Sequence, residues 1–225
     1  MARQMVRWLR LLKIALAFAI VQSASVAAAD GGCRIAVLGD SLTTAYGLAV
    51  EDGFPAQLER RLRAERYDCA VLDAGVGGDT TAGGLARLDW TLADRPSHVL
   101  VELGGNDGLR ALPPEQMEHN LDAIVGRLQA DGVAVLLAGM RAPPNLGRAY
   151  GDAFEAVFAR VAERRDVPLY PFFLDGVAGD PALNQEDGIH PTAAGIAVIV
   201  ERILPTVTAW LDQTAAISGP AGAEG

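Results

Sequence analysis

Four short stretches of the 225-residue chain carry residues able to do chemistry together: Gly39-Asp40-Ser41-Leu42, Gly75-Val76-Gly77-Gly78-Asp79, Gly104-Gly105-Asn106-Asp107 and Asp187-Gly188-Ile189-His190. A serine hydroxyl attacks a carbonyl only when a base takes its proton. A histidine serves as that base, and a carboxylate fixes its tautomer and supports the imidazolium. Asp187 and His190 are spaced so that the carboxylate accepts from Nδ1–H while Nε2 faces Ser41. The tetrahedral intermediate then needs donors aimed at its oxyanion, and the main-chain N–H groups of Ser41 and Gly78 with the side-chain amide of Asn106 are the candidates. Each stretch read alone means less. Asp40 and Ser41 are good helix N-caps, glycines make tight turns, and Asn-Asp is ordinary turn chemistry. The reaction needs all four at one place.

The elements between them supply that place. Ile35 to Leu38 is a short, continuous apolar run of the kind buried on both faces of a parallel sheet, and Gly39 ends it. Similar strands are expected at Cys69–Ala74, His98–Leu103, Val133–Ala138 and Val167–Phe173. Helical spacing joins Phe54, Leu58 and Leu62; Leu85, Leu88 and Leu92, capped by Thr80 or Thr81; and Phe154, Val157, Phe158 and Val161. Further helices are expected from Pro113-Pro114 to about Ala130 and through Ile196, Ile199, Val200 and Ile203. Strands alternating with helices predict a three-layer α/β domain, flavodoxin-like, with a five-stranded parallel sheet in the order 2-1-3-4-5. That order opens the loops after strands one, two and three on one edge.

Residues 1–29 read as a signal peptide. Arg3, Arg7, Arg10 and Lys13 precede an apolar run from Ile14 to Val21, and Ala27-Ala28-Ala29 offers a cleavage site. A retained amino-terminal anchor is the rival reading. Residues 30–212 then form the domain, and 213–225, rich in Gly, Ala and Ser, a flexible tail. Cleavage moves the formal charge from −9 to −13, which disfavours nucleic acid and anionic membrane surfaces as partners. The exported product, periplasmic or secreted, is expected to be a monomer without stable membrane insertion. Export permits a Cys33–Cys69 disulfide if the first two strands are neighbours; otherwise the pair are two small buried hydrophobes. His98, at the far end of its strand, reads as structural, and His119 as lying on a helix surface. Three scattered histidines make no metal site, and no cofactor is expected.

With these motifs in order from Arg34 to Pro205, the sequence resembles the SGNH hydrolases, or GDSL esterases and lipases. The family's blocks correspond to Gly39-Asp40-Ser41-Leu42, to the glycine of Gly78-Asp79-Thr80, to Gly104-Gly105-Asn106-Asp107 and to Asp187-Gly188-Ile189-His190-Pro191. The resemblance implies Ser41 as nucleophile, His190 as base, Asp187 as its orienter, and Ser41, Gly78 and Asn106 as oxyanion donors. Leu100 to Arg110 and Arg141 to Arg148 look most like the exported thioesterase, lysophospholipase and arylesterase branch. Asp73 departs from the asparagine usual there, which bears on loop stiffness and pocket polarity.

The expected substrates are small-molecule carboxylic esters and thioesters: acyl or aryl esters, acyl-CoA or lysophospholipids. Leu109, Pro143 and Leu146 supply an apolar border for an acyl chain or aryl group, and Arg110 could meet a polar head or be a solvated loop charge. Two other functions use the same scaffold: a carbohydrate deacetylase, for which the loops are short of aromatics, and a catalytically silent binding module.

Overall fold

The computed structural model describes residues 32–218. Five parallel strands form one sheet in the order β2-β1-β3-β4-β5. They are β1 Cys33–Leu38, β2 Cys69–Asp73, β3 His98–Glu102, β4 Ala134–Ala138 and β5 Leu169–Tyr170. Ile35 to Leu38 and Val99 to Val101 are almost wholly buried, as expected for central strands covered on both faces. The helices are α1 Phe54–Ala64, α2 Thr81–Ala86, α3 Leu88–Ala93, α4 Gly105–Leu109, α5 Pro114–Ala130, α6 Arg148–Arg165 and α7 Ala193–Ser218. Helix α1 packs with α7, while α5 packs with α2 and α6, giving the three-layer α/β arrangement.

Registers place Ile35 beside both Val71 and His98, so β1 lies between β2 and β3. The carboxyl ends of these three strands therefore deliver Ser41, Gly78 and Asn106 to the same edge. At the opposite end Cys33 and Cys69 stand directly across from one another, with Cα atoms 4.5 Å apart, and are joined as a disulfide.

Three expectations about elements change. Strand β5 is two residues long because Pro168 and Pro171 flank it and have no N–H for a ladder. The helix through Leu85, Leu88 and Leu92 is two short helices divided at Arg87, whose side chain turns toward the strand ends. Gly83 and Gly84 weaken that segment, and Gly84 is needed because a Cβ there would run into Leu103. Residues 213–218, expected in a flexible tail, continue α7 to Ser218, and the remainder of that expected tail lies outside the described residues. Buried Trp210 and Leu211 hold the last turns of α7, and Thr214 Oγ1 lies 2.9 Å from His98 Nε2. His98 thus has a structural place, with Ser97 Oγ on its other nitrogen at 2.8 Å and Trp210 edge-on at 5.0 Å. His119 is exposed. The expected signal segment, 1–29, lies outside the described residues.

Candidate active site

Strand β1 hands the chain to a tight turn. Gly39 is required there because a Cβ would collide with Thr43 and approach Glu102 Oε2 to 3.0 Å. Asp40 shapes the next step. Its carbonyl accepts from the N–H groups of Thr43 and Thr44, both at 3.3 Å, and its Oδ1 accepts from Leu42 N–H at 2.9 Å. Ser41 projects from the top of this turn, half-buried.

The loop after β2 reaches Gly78 at φ +80°, a left-handed conformation that favours glycine. Thr80 then caps α2, its Oγ1 accepting from Gly83 N–H at 3.3 Å. The loop after β3 turns at Gly104, also left-handed at φ +119°, where a Cβ would press on Phe158 and the Met117 sulfur. The stretch read as a turn is α4, with Asn106 in its first turn. Next to it Asp107, buried, accepts from Thr81 N–H at 2.8 Å and Thr81 Oγ1 at 2.6 Å, locking the second and third loops together.

The late segment closes the group. His190 Nε2 lies 2.9 Å from Ser41 Oγ, and Nδ1 lies 2.6 Å from Asp187 Oδ2. Asp187 Oδ1 accepts the N–H groups of Ile189 and His190 at 2.9 and 3.0 Å. The His190 N–H bond, then the imidazole, then the Ile189 N–H hold this carboxyl down at a pKa of about 2, so it is ionised throughout the working range. Gln185 braces the segment. Its N–H donates to the His190 carbonyl at 2.7 Å, and its Nε2 donates to the carbonyls of Tyr46 and Pro191 at 2.9 and 3.0 Å. Tyr46 stacks on the imidazole with ring centroids 4.2 Å apart.

These groups line one cavity of about 340 Å³: Asp40, Ser41, Gly78, Asn106, Leu109 and His190 all border it. Among the described residues no protein acceptor takes the N–H of Ser41 or of Gly78. A hydroxyl hydrogen-bonded to a histidine, with donor-bearing residues bordering the same space, can carry out acyl transfer.

Of the four residues expected to border substrate, Leu109 alone lines this cavity, and it is exposed. Pro143 lines a neighbouring cavity of about 590 Å³ that shares Ile189 with it. Leu146, half-buried in the short turn Pro144–Leu146, borders neither. Arg110 braces the loop after β2, its Nη2 donating to the Gly78 carbonyl at 2.9 Å. Asp73, the departure from the branch pattern, is exposed and accepts Gly75 N–H at 2.9 Å, stiffening its turn.

Sequence reasoning missed Arg87. Its guanidinium, little exposed, donates to Asp79 Oδ2, to the Ala74 carbonyl and, at 2.9 Å, to the Gly39 carbonyl. One side chain therefore ties the ends of β1 and β2 to the residue after Gly78. Spacing offered only a weak signal, eight residues from Asp79. The buried pair Asp40 and Glu102 was missed as well. Burial first, then Asp40, pushes Glu102 well above the usual carboxylate range, against the lowering effect of the Asp40 N–H.

The chain is similar to known proteins along most of its length. The chain is 42% identical over 200 residues to "Esterase TesA" of Pseudomonas aeruginosa, covering 88% of this chain and 98% of that one. It is 41% identical over 175 residues to "Thioesterase 1/protease 1/lysophospholipase L1" of Escherichia coli K12, covering 77% and 81%. A crystal structure of the psychrotrophic esterase EstA from Pseudoalteromonas, inhibited by monoethylphosphonate, superposes with a TM-score of 0.76 at 37% identity over 80% of this chain and 98% of that one. The profile of the GDSL-like Lipase/Acylhydrolase family matches residues 37–198, more than half of the chain, and the protein belongs to that family.

Proposed function

We propose that the chain hydrolyses carboxylic esters and thioesters through an acyl-enzyme on Ser41. The observation that carries this is the continuous line from Asp187 through His190 to Ser41, with separations of 2.6 and 2.9 Å, opening on a cavity that also presents Gly78 and Asn106. His190 takes the Ser41 proton as Oγ attacks the carbonyl carbon, and Asp187 holds the imidazole and supports its charge. The N–H groups of Ser41 and Gly78 and the Asn106 amide receive the oxyanion. Collapse expels the alcohol or thiol, which takes the proton from His190. Water then repeats the sequence to release the acid.

The cavity is open, and the exposed Tyr46, Leu109 and Ile189 give it an apolar rim. Such a rim suits acyl chains and aryl groups and leaves the leaving group loosely specified, so simple acyl and aryl esters, acyl-CoA and lysophospholipids are the substrate class. Residues 1–29 are a secretory signal in this reading, and the Cys33–Cys69 bridge fits a mature enzyme that works, as a monomer, in an oxidising compartment.

A p-nitrophenyl ester series against the wild type and Ser41→Ala tests it. Turnover that rises with chain length and vanishes in the variant is expected. Acetyl-only turnover together with release of acetate from acetylated sugars would make it a deacetylase, and no turnover at all would make it a binding module.

A further inference from the structure

Both oxygens of the Asp40 carboxylate are occupied. Oδ1 takes Leu42 N–H at 2.9 Å, and Oδ2 takes one N–H of Asn106 Nδ2 at 2.8 Å. Asp40 is 1% exposed although it borders the cavity, and no other hydrogen bond holds the Asn106 amide among the described residues. A carboxamide nitrogen has two N–H groups, so one spent on Asp40 leaves one for an oxyanion. Which edge of the amide faces the reaction is therefore decided by what Asp40 presents. We propose that the ionised Asp40 carboxylate is the positioning residue that turns the Asn106 N–H, rather than its carbonyl, toward the oxyanion, and that a proton on Asp40 releases this donor. The inference rests on the roles of Ser41 and Asn106 proposed above.

The charges around Asp40 are consistent with a carboxylate that ionises within the working range. Burial raises its pKa, to about 6, against the lowering effects of the Leu42 N–H, the Asn106 amide and His190, with Asp79 adding to the rise. Glu102 on β3 lies behind it, its Oε2 3.5 Å from the Asp40 N–H. It is the more deeply buried of the two, and burial together with Asp40 pushes its carboxyl well above the usual carboxylate range. Arg87 reaches only as far as the Gly39 carbonyl, one residue away. A proton on Oδ2 makes that oxygen a donor facing a donor. The amide relieves the conflict by turning over, which puts an acceptor where the oxyanion develops.

Asp40→Asn imitates the protonated acid: its Oδ1 still serves Leu42 N–H, and its Nδ2 confronts Asn106. The expected kcat on p-nitrophenyl butyrate falls about 10²–10³-fold, the loss typical of one oxyanion donor, while KM stays within about threefold. In an Asn106→Ala background the same substitution is expected to cost nothing further. The wild type's kcat is expected to fall at acid pH with two ionisations, and that of Asp40→Asn with one. Should Asp40→Asn not fold, Asp40→Ser keeps an acceptor for Leu42 N–H, loses Asn106, and is read by the same outcomes. A kcat near wild type, an equal loss in the Asn106→Ala background, or an acid limb unchanged by the substitution would each overturn the inference. Activity surviving in Ser41→Ala would instead sink the reading beneath it, so the two failures are distinct.

Discussion

Removing the disulfide separates stability from catalysis in this fold. Cys33 and Cys69 join neighbouring parallel strands at their amino ends, the edge opposite Ser41, and are 36 residues apart in sequence. In the chain-entropy picture, closing a loop of that length removes about 13 cal/mol/K from the unfolded chain, or about 4 kcal/mol at 25 °C. For a domain of this size each kcal/mol is worth about 2–4 °C, so the melting temperature of Cys33→Ala/Cys69→Ala is expected about 8–15 °C below that of the oxidised protein. Differential scanning calorimetry of both forms, with ester turnover measured at 20 °C, provides the assay. Because the bridge lies at the far end of β1 and β2, kcat and KM of the folded variant should match the parent. A fall in kcat with little change in melting temperature would refute the reasoning, since it would mean that the bridge acts on the loop edge and not on the unfolded chain.

Other expected outcomes concern the site. Ser41→Ala and His190→Ala lose nearly all esterase activity, and Asp187→Asn loses less where water or a neighbouring group still orients the imidazole; steady-state kinetics ranks the three. Asn106→Ala lowers kcat by about 10²–10³ with little change in KM, and an unchanged kcat would remove it from the oxyanion hole. Arg87→Met leaves the Asp79 carboxylate and two strand-end carbonyls without their donor, so stability should fall by about 3–5 kcal/mol in urea titration. Asp40, whose folded pKa of about 6 lies above the ordinary 3.8, stabilises the fold most below pH 4 and loses that contribution as pH rises through 6. The span is worth roughly 3 kcal/mol, so the melting temperature of Asp40→Asn should gain on the wild type between pH 4 and pH 7. A constant difference across that range would refute the assignment.

Local chemistry made much of this protein legible before any coordinates. The apolar run of β1, the Asp187–His190 spacing and the alternation of strands and helices each depend on neighbours in sequence, and periodicity reports neighbours. Hence the α/β class and the residues expected to form the triad could be read directly, while the sheet order followed by analogy with a flavodoxin-like arrangement. The bounds of β5 could have been read too, because Pro168 and Pro171 state where a ladder stops.

Tertiary structure decided what no spacing encodes. Arg87 reaches Gly39 across 48 positions, and Asp40 meets Asn106 across 66; in sequence each looks like a surface arginine and a turn aspartate. Arg110, read in sequence as meeting a polar head or as a solvated loop charge, donates to the Gly78 carbonyl 32 positions away. The reason is physical. A strand or helix is specified by the side chains it carries, whereas a polar group's role is set by whichever donor or acceptor the packed core brings to it, and in water no such partner exists until the sheet has closed around it.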